Sequence, residues 1–296
     1  MHDTVIAHAS LVRFRGLLAL LRPRQWVKNL FVLAPLLFAG EFANPHAITQ
    51  VLVAAVIFCL ASSAVYIVND IHDIRHDQLH PKKRFTRPLA SGAVPLSSAL
   101  LMLLMLYGVI FSNLFQMPQV SLVVAAYIVL NLAYTFVLKQ QPVLDLFTIA
   151  IGFVLRVFAG AVALHVPVSA WMFITTLCLA LYLASVKRRQ ELRQSGSAGR
   201  SVLQRYSVVL VDRYAQMAAT GALLFYSMFV MTARPRMVIT IPLVLFGLFR
   251  YWFVVEAQEG GESPTDVLLT DWQLIGAITL WVGACAWALW PVLGAS

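Results

Sequence analysis

The chain has 296 residues, of which 60% are hydrophobic and only 12% charged, and its mean hydropathy is +0.79. So much apolar surface cannot be hidden in one water-soluble core, which excludes an ordinary soluble domain and points to an all-α, polytopic membrane protein. The 22 lysines and arginines outnumber 13 acids, for a net charge of +9. In a membrane protein that excess reports topology and contact with anionic headgroups, not nucleic-acid binding.

In chain order, leucines interleaved with Arg13 and Arg15 over residues 11–22 predict a helix lying in the membrane interface, broken by Pro23. No small-residue cleavage site follows the first basic residues, so no signal peptide is read and the N-terminus is expected in the cytoplasm. Apolar runs of roughly spanning length then fall near 26–40, 47–68, 96–114, 118–138, 143–163, 169–186, 214–232, 237–255 and 272–293. These predict about nine transmembrane helices, in one domain covering 1–296. Threaded from inside, they place the basic loops 69–95 and 187–213 and the turn at Lys139 on the cytoplasmic side of the inner membrane. Thr270 and Gln273 have the spacing of a capping box at the start of the last helix. Cys59, Cys178 and Cys285 lie in apolar runs without metal-ligand spacing, so no disulfide is expected.

Between the second and third runs stands Asn69-Asp70-Ile-His-Asp73-Ile-Arg-His-Asp77. At helical spacing the three aspartates fall within an arc of about 60°, so their carboxylates share one face. Like charges held that close raise one another's pKa unless a cation joins them, and an all-oxygen set with an Asn amide suits a hard ion such as Mg²⁺. His80, Lys82, Lys83, Arg84 and Arg87 follow at once and would draw phosphate oxygens. A salt-bridged solvated loop is the plain alternative, but an ionisable cluster beside two membrane spans is a functional hypothesis by default. His72, His76 and His80 also have helical spacing that could suit Zn²⁺; the carboxylates explain the segment better. Arg156, ten residues into an apolar run and flanked by Gly152 and Gly160, needs a partner, and an inward position facing a bound phosphate is preferred to snorkelling. Lys28, Asn29, Lys139 and Asp145 sit where the bundle would converge on the same cavity, and Tyr66, Tyr134 and Tyr206 either touch substrate or anchor at the interface.

These residues carry a family resemblance. The Asp motif resembles the first Asp-rich motif of UbiA-type intramembrane prenyltransferases, a fold of nine transmembrane helices around a cavity open to the membrane. The set Leu21-Arg-Pro-Arg-Gln-Trp26-Val-Lys28-Asn29, the run from His80 to Gly92, Tyr134 with Lys139, Gly152-Phe-x-x-Arg156, Lys187-Arg188 and Arg200-x-Val-Leu-x-x-Tyr206 is similar to one branch of it. That branch moves 5-phosphoribose from phosphoribosyl diphosphate to a polyprenyl phosphate such as decaprenyl phosphate. One departure from the ordinary pattern supports it: where aromatic prenyltransferases have a second Asp-rich motif, this chain reads Lys187-Arg188-Arg189-Gln190-Glu191. A donor carrying a 5-phosphate besides its diphosphate would need such a cationic socket.

The resemblance implies a Mg²⁺-dependent transferase, with Asn69, Asp70, Asp73 and Asp77 at the metal. It implies Asp73, Asp77 and Asp145 as catalytic carboxylates, and Lys28, Asn29, Arg84, Arg87, Tyr134, Lys139, Arg156, Lys187, Arg188, Glu191, Arg200 and Tyr206 around the substrates. The rival readings are a conventional UbiA-type prenyltransferase acting on an aromatic or other small acceptor, and a lipid or ion carrier. A homo-oligomer is compatible with the sequence, which does not fix the assembly.

Overall fold

Every element among the described residues of the computed structural model, which are 14–79, 81, 83–195, 201–257, 267 and 270–290, is helical. Helix α1 (14–21) stops where expected, because Pro23 cannot supply a donor to continue it. A 3-10 segment, Pro23–Leu33, follows, and then α2 (Ala34–Phe38) and α3 (Pro45–His72). Two short helices, α4 (Ile74–Leu79) and α5 (Lys83–Thr86), lead to α6 (Leu96–Ser112) and α7 (Pro118–Phe136). The chain continues through α8 (Leu144–Ala163), α9 (Ala170–Ser195), α10 (Val208–Ala233), α11 (Ile241–Ala257) and α12 (Trp272–Leu289).

Seven described helices are long and apolar enough to cross a bilayer, namely α3, α7, α8, α9, α10, α11 with the turn before it, and α12. Helix α6 is apolar but has 17 residues. The first expected span, 26–40, is not a continuous α-helix. A 3-10 segment rises about 2 Å per residue against about 1.5 Å for an α-helix, so Pro23–Phe38 can still reach about 30 Å, the thickness of the hydrocarbon layer. Among the described residues seven helices are therefore of spanning length, and the other two expected runs fall on the shorter α6 and on this irregular segment; the chain is an integral membrane protein.

Helix α8 is the centre of the bundle. Two-thirds of its apolar window is buried, and it packs against α3, α7, α9 and the 3-10 segment. Its inward face is small: Ala150, Gly152, Ala159, Gly160, Ala161 and Ala163 are all buried. Small residues let helices approach in a membrane, where no hydrophobic force between spans does the work. At Gly160 the approach is backbone to side-chain-less backbone, since a Cβ there would run into the carbonyl of Val32.

Two expected loops turn out partly helical. Asn69 and Asp70 belong to the last turn of α3, and Asp77 to α4, with the Asp73 N–H bonded to the Asn69 carbonyl across the join. Helix α9 likewise runs on to Ser195, so Lys187, Arg188, Arg189, Glu191 and Arg193 are helical and not part of a 187–213 loop. Lys, Arg, Gln and Glu are good helix formers, and the Arg188–Glu191 and Lys187–Glu191 pairs add i,i+3 and i,i+4 support. The last helix is capped by Asp271, whose carboxylate accepts the Leu274 N–H at 2.8 Å, one residue beyond the expected Thr270.

Candidate active site

Three carboxylates close on one face repel, and each is neutralised by a cation from another element. Asp70, 3% exposed, pairs with Arg22 from the end of α1 and, at 3.5 Å, with Arg87 after α5. Asp73, a quarter exposed, takes Lys139 Nζ at 3.0 Å from the turn after α7. Asp77 is buried and takes Lys83 Nζ at 3.3 Å. Held apart in this way, they do not form a cluster tight enough to share an ion as they stand, and among the described residues there is no group of three His, Cys, Asp or Glu that could. The donor set nevertheless fits a hard cation: Oδ2 of Asp70 is buried and has no hydrogen-bond partner, and half-buried Asn69 lies one helical turn before Asp73.

A second carboxylate centre stands at the start of α8. Asp145 is wholly buried; its Oδ2 lies 2.6 Å from Arg188 Nη2, and its Oδ1 accepts the Tyr206 hydroxyl at 2.7 Å. Tyr206 also accepts the Val143 N–H at 2.7 Å. Val143 has a φ of +69°, which a β-branched residue rarely adopts, so its backbone is strained here and is held by that bond. Burial pushes the Tyr206 hydroxyl above the usual tyrosine range, with Asp145 adding to the effect, so it stays a neutral donor. Arg188 reaches Glu191 and Tyr134 as well. This network ties α7, α8, α9 and the segment before α10 at the same end of the bundle as the aspartates, with Lys139 between the two centres.

Arg156 is buried in the bundle and has no carboxylate partner among the described residues. Its Nε donates to Asn29 Oδ1 at 2.8 Å, Nη1 to the Gly152 carbonyl at 2.8 Å and Nη2 to Tyr127 Oη at 3.1 Å. The rings of Phe58, Tyr127 and Phe153 surround it with centroids 5.0–5.3 Å away. Arg156 and Asn29 are thus brought to each other, one helical layer away from the aspartates. Lys28 is half-buried on the same 3-10 segment. Arg84 is exposed and lies over the ring of its neighbour Phe85. His72 and His76 are exposed; Arg200, His80 and Lys82 lie outside the described residues. A cavity of about 460 Å³ opens at the opposite ends of α3, α7 and α8, between His46, Gln116 and His165, and shares no residue with this site.

Sequence reasoning did not single out Arg22. Its signal was present in the run from Leu21 to Asn29, but nothing in a one-dimensional reading ties it to a carboxylate 48 positions on.

The arrangement defines a class: a helical membrane protein whose opposed acids and bases, drawn from most of its elements, meet at one end of the bundle. The sequence model of the UbiA prenyltransferase family matches residues 30–269, and the chain belongs to that family. It is 34% identical over 282 residues to decaprenyl-phosphate phosphoribosyltransferase of Corynebacterium glutamicum, covering 90% of this chain and 84% of that one. It is 33% identical over 298 residues to the protein of the same name in Mycolicibacterium smegmatis, covering 93% and 92%. The structure of a UbiA homolog from Archaeoglobus fulgidus bound to GPP and Mg²⁺ superposes with a TM-score of 0.70 at 18% identity, over 94% of this chain and all of that one.

Proposed function

We propose that the chain transfers 5-phosphoribose from phosphoribosyl diphosphate to a polyprenyl phosphate, releasing diphosphate, at the cytoplasmic face of the inner membrane. The observation that carries this reading is the cationic end of α9. Lys187 and Arg188 stand there with Glu191 as the nearest acid, and Arg188 is fixed on Asp145. That is a socket for an additional phosphate, and relatives over nine-tenths of the chain bear the corresponding name.

Asp70, Asp73 and Asp77, with Asn69, are the residues that would hold Mg²⁺, and the unpartnered Oδ2 of Asp70 is a donor of the kind it prefers. Once bound, the ion neutralises charge that builds on the departing diphosphate. Lys139, paired with Asp73, is placed to exchange its carboxylate for a phosphate oxygen, and Arg87 beside Asp70 is placed likewise. Arg188 and Lys187 receive the second phosphate group. Asp145, wholly buried, fits a positioning part, aiming Arg188 with the help of Tyr206, better than direct contact with the ribose. The acceptor phosphate is already anionic at neutral pH, so no general base is required, and in-line attack inverts C1. The lipid chain lies among the spans. Arg156, with its neutral cage, sets the spacing of the 3-10 segment against α7 and α8.

The test is transfer of ribose label from phosphoribosyl diphosphate into lipid by the purified chain. Label appearing only with both polyprenyl phosphate and Mg²⁺ is the expected result. Release of diphosphate from a prenyl diphosphate, with phosphoribosyl diphosphate untouched, overturns it in favour of a conventional prenyltransferase; turnover of neither leaves a carrier.

A further inference from the structure

We propose that Arg22 is the positioning residue of the metal site, acting through Asp70. This rests on the reading of the Asp motif as the Mg²⁺ site given above. The two oxygens of Asp70 are used unevenly. Its Oδ1 accepts from Arg22 Nη2 and lies 3.5 Å from Arg87 Nη1, while its Oδ2 is buried and has no hydrogen-bond partner among the described residues. Burying a charged carboxylate at 3% exposure is costly, and the two guanidinium groups beside Oδ1 offset part of that cost while leaving the other oxygen for a ligand. The carboxylate is thereby turned so that Oδ2 serves as a single, directed donor.

Arg22 is itself fixed from several sides. Its guanidinium lies 4.6 Å above the ring of Tyr66, and Ser63, Tyr66 and Asp70 occupy one face of α3 at i, i+3 and i+7. Ser63 Oγ donates to the Leu21 carbonyl at 2.8 Å and receives Trp26 Nε1 at 3.1 Å, so α3 grips the chain on both sides of Arg22. Behind it, a Cβ at Gly16 would come within 2.7 Å of Val94 Cγ2, which shows how closely α1 is pressed on the segment before α6. The backbone of Arg22 has φ 51° and ψ 58°, the left-handed region that an L side chain avoids. Glycine would suit that corner better if only the turn mattered. An arginine held there against its backbone preference is accounted for by what its side chain does at Asp70.

Partners that orient a metal's ligands typically contribute about 10–100-fold to metal affinity. The experiment is Mn²⁺ binding, read by electron paramagnetic resonance, on the full purified chain without either substrate. Arg22→Gln should bind Mn²⁺ about 10–100-fold more weakly than wild type, measured at a temperature where the variant is folded. Arg22→Lys, which keeps a cation over Tyr66 but loses the guanidinium fork, should fall between the two and serves if Arg22→Gln does not fold. In turnover, the Mg²⁺ needed for half-maximal rate should rise by the same factor, while kcat at saturating Mg²⁺ returns to the wild-type value. Wild-type Mn²⁺ affinity in both variants, or a gain in affinity, overturns the proposal and leaves the metal reading standing. Failure of wild type to bind Mn²⁺, or undiminished binding by Asp70→Asn, sinks the metal reading and this inference with it.

Discussion

Arginine meets acid in two places in this molecule, and the two are built differently. At the aspartate motif each carboxylate is met by cations on separate, mostly short elements, and Asp70 keeps an oxygen free. At the far side of α9, Arg189 is saturated: Asp212 of α10 lies 2.5 Å from its Nε, Glu256 of α11 takes its Nη2, and the ring of Trp252 lies 5.9 Å away. Arg193 adds a second cation to Glu256 at 3.0 Å. The first region has capacity left for a ligand, whereas the second has spent its charges on joining three helices. Arg188, one residue earlier, is likewise buried and paired with two acids, Asp145 and Glu191, in the centre at the start of α8.

The division can be broken by exchanging which property is lost. Asp73→Asn should lower transfer at least about 100-fold, because it removes charge at the proposed point of metal and phosphate contact, and leave the melting temperature unmoved. Label transfer and a thermal scan on the same preparation check both halves. Arg189→Ala should do the reverse. Its acids are a quarter to nearly half exposed, so the expected loss is about 1–3 kcal/mol of stability, read as earlier unfolding, with wild-type turnover per folded molecule. A fall in specific activity would erase the distinction.

Smaller effects sharpen it. Tyr206→Phe removes one hydrogen bond to Asp145 and the acceptor for the strained Val143, a loss of about 1 kcal/mol. The donor KM should rise about fivefold, with kcat nearly kept, if Asp145 only aims Arg188. Smallest is the cap of α12. The Arg250 side chain bonded to Asp271 holds that carboxyl below the usual range. Its contribution is therefore complete above the unfolded value near pH 4 and is lost as pH falls through the lower folded value. Melting temperature against pH should lose this acid-side step in Asp271→Ala and keep it in Arg189→Ala.

Much of this was legible in the sequence. Hydropathy placed the spans because a bilayer demands long apolar runs, and the aspartates announced themselves by charge in the wrong surroundings. The ends of the helices were less legible: α9 outruns its apolar segment because basic residues extend a helix as readily as leucines do, and hydropathy is blind to that. Partners were least legible of all. Lys139 was noticed for its place in a turn, but its pairing with Asp73, 66 residues away, and that of Arg22 with Asp70 are made only by folding. For Arg156 spacing leads to an expected phosphate, whereas the partners that folding supplies are an amide, a backbone carbonyl, a phenol and three rings.

The contact at Gly160 constrains how the site can breathe. With the carbonyl of Val32 seated where a side chain would otherwise begin, the 3-10 segment Pro23–Leu33 and α8 have no cushion between them and travel as one piece.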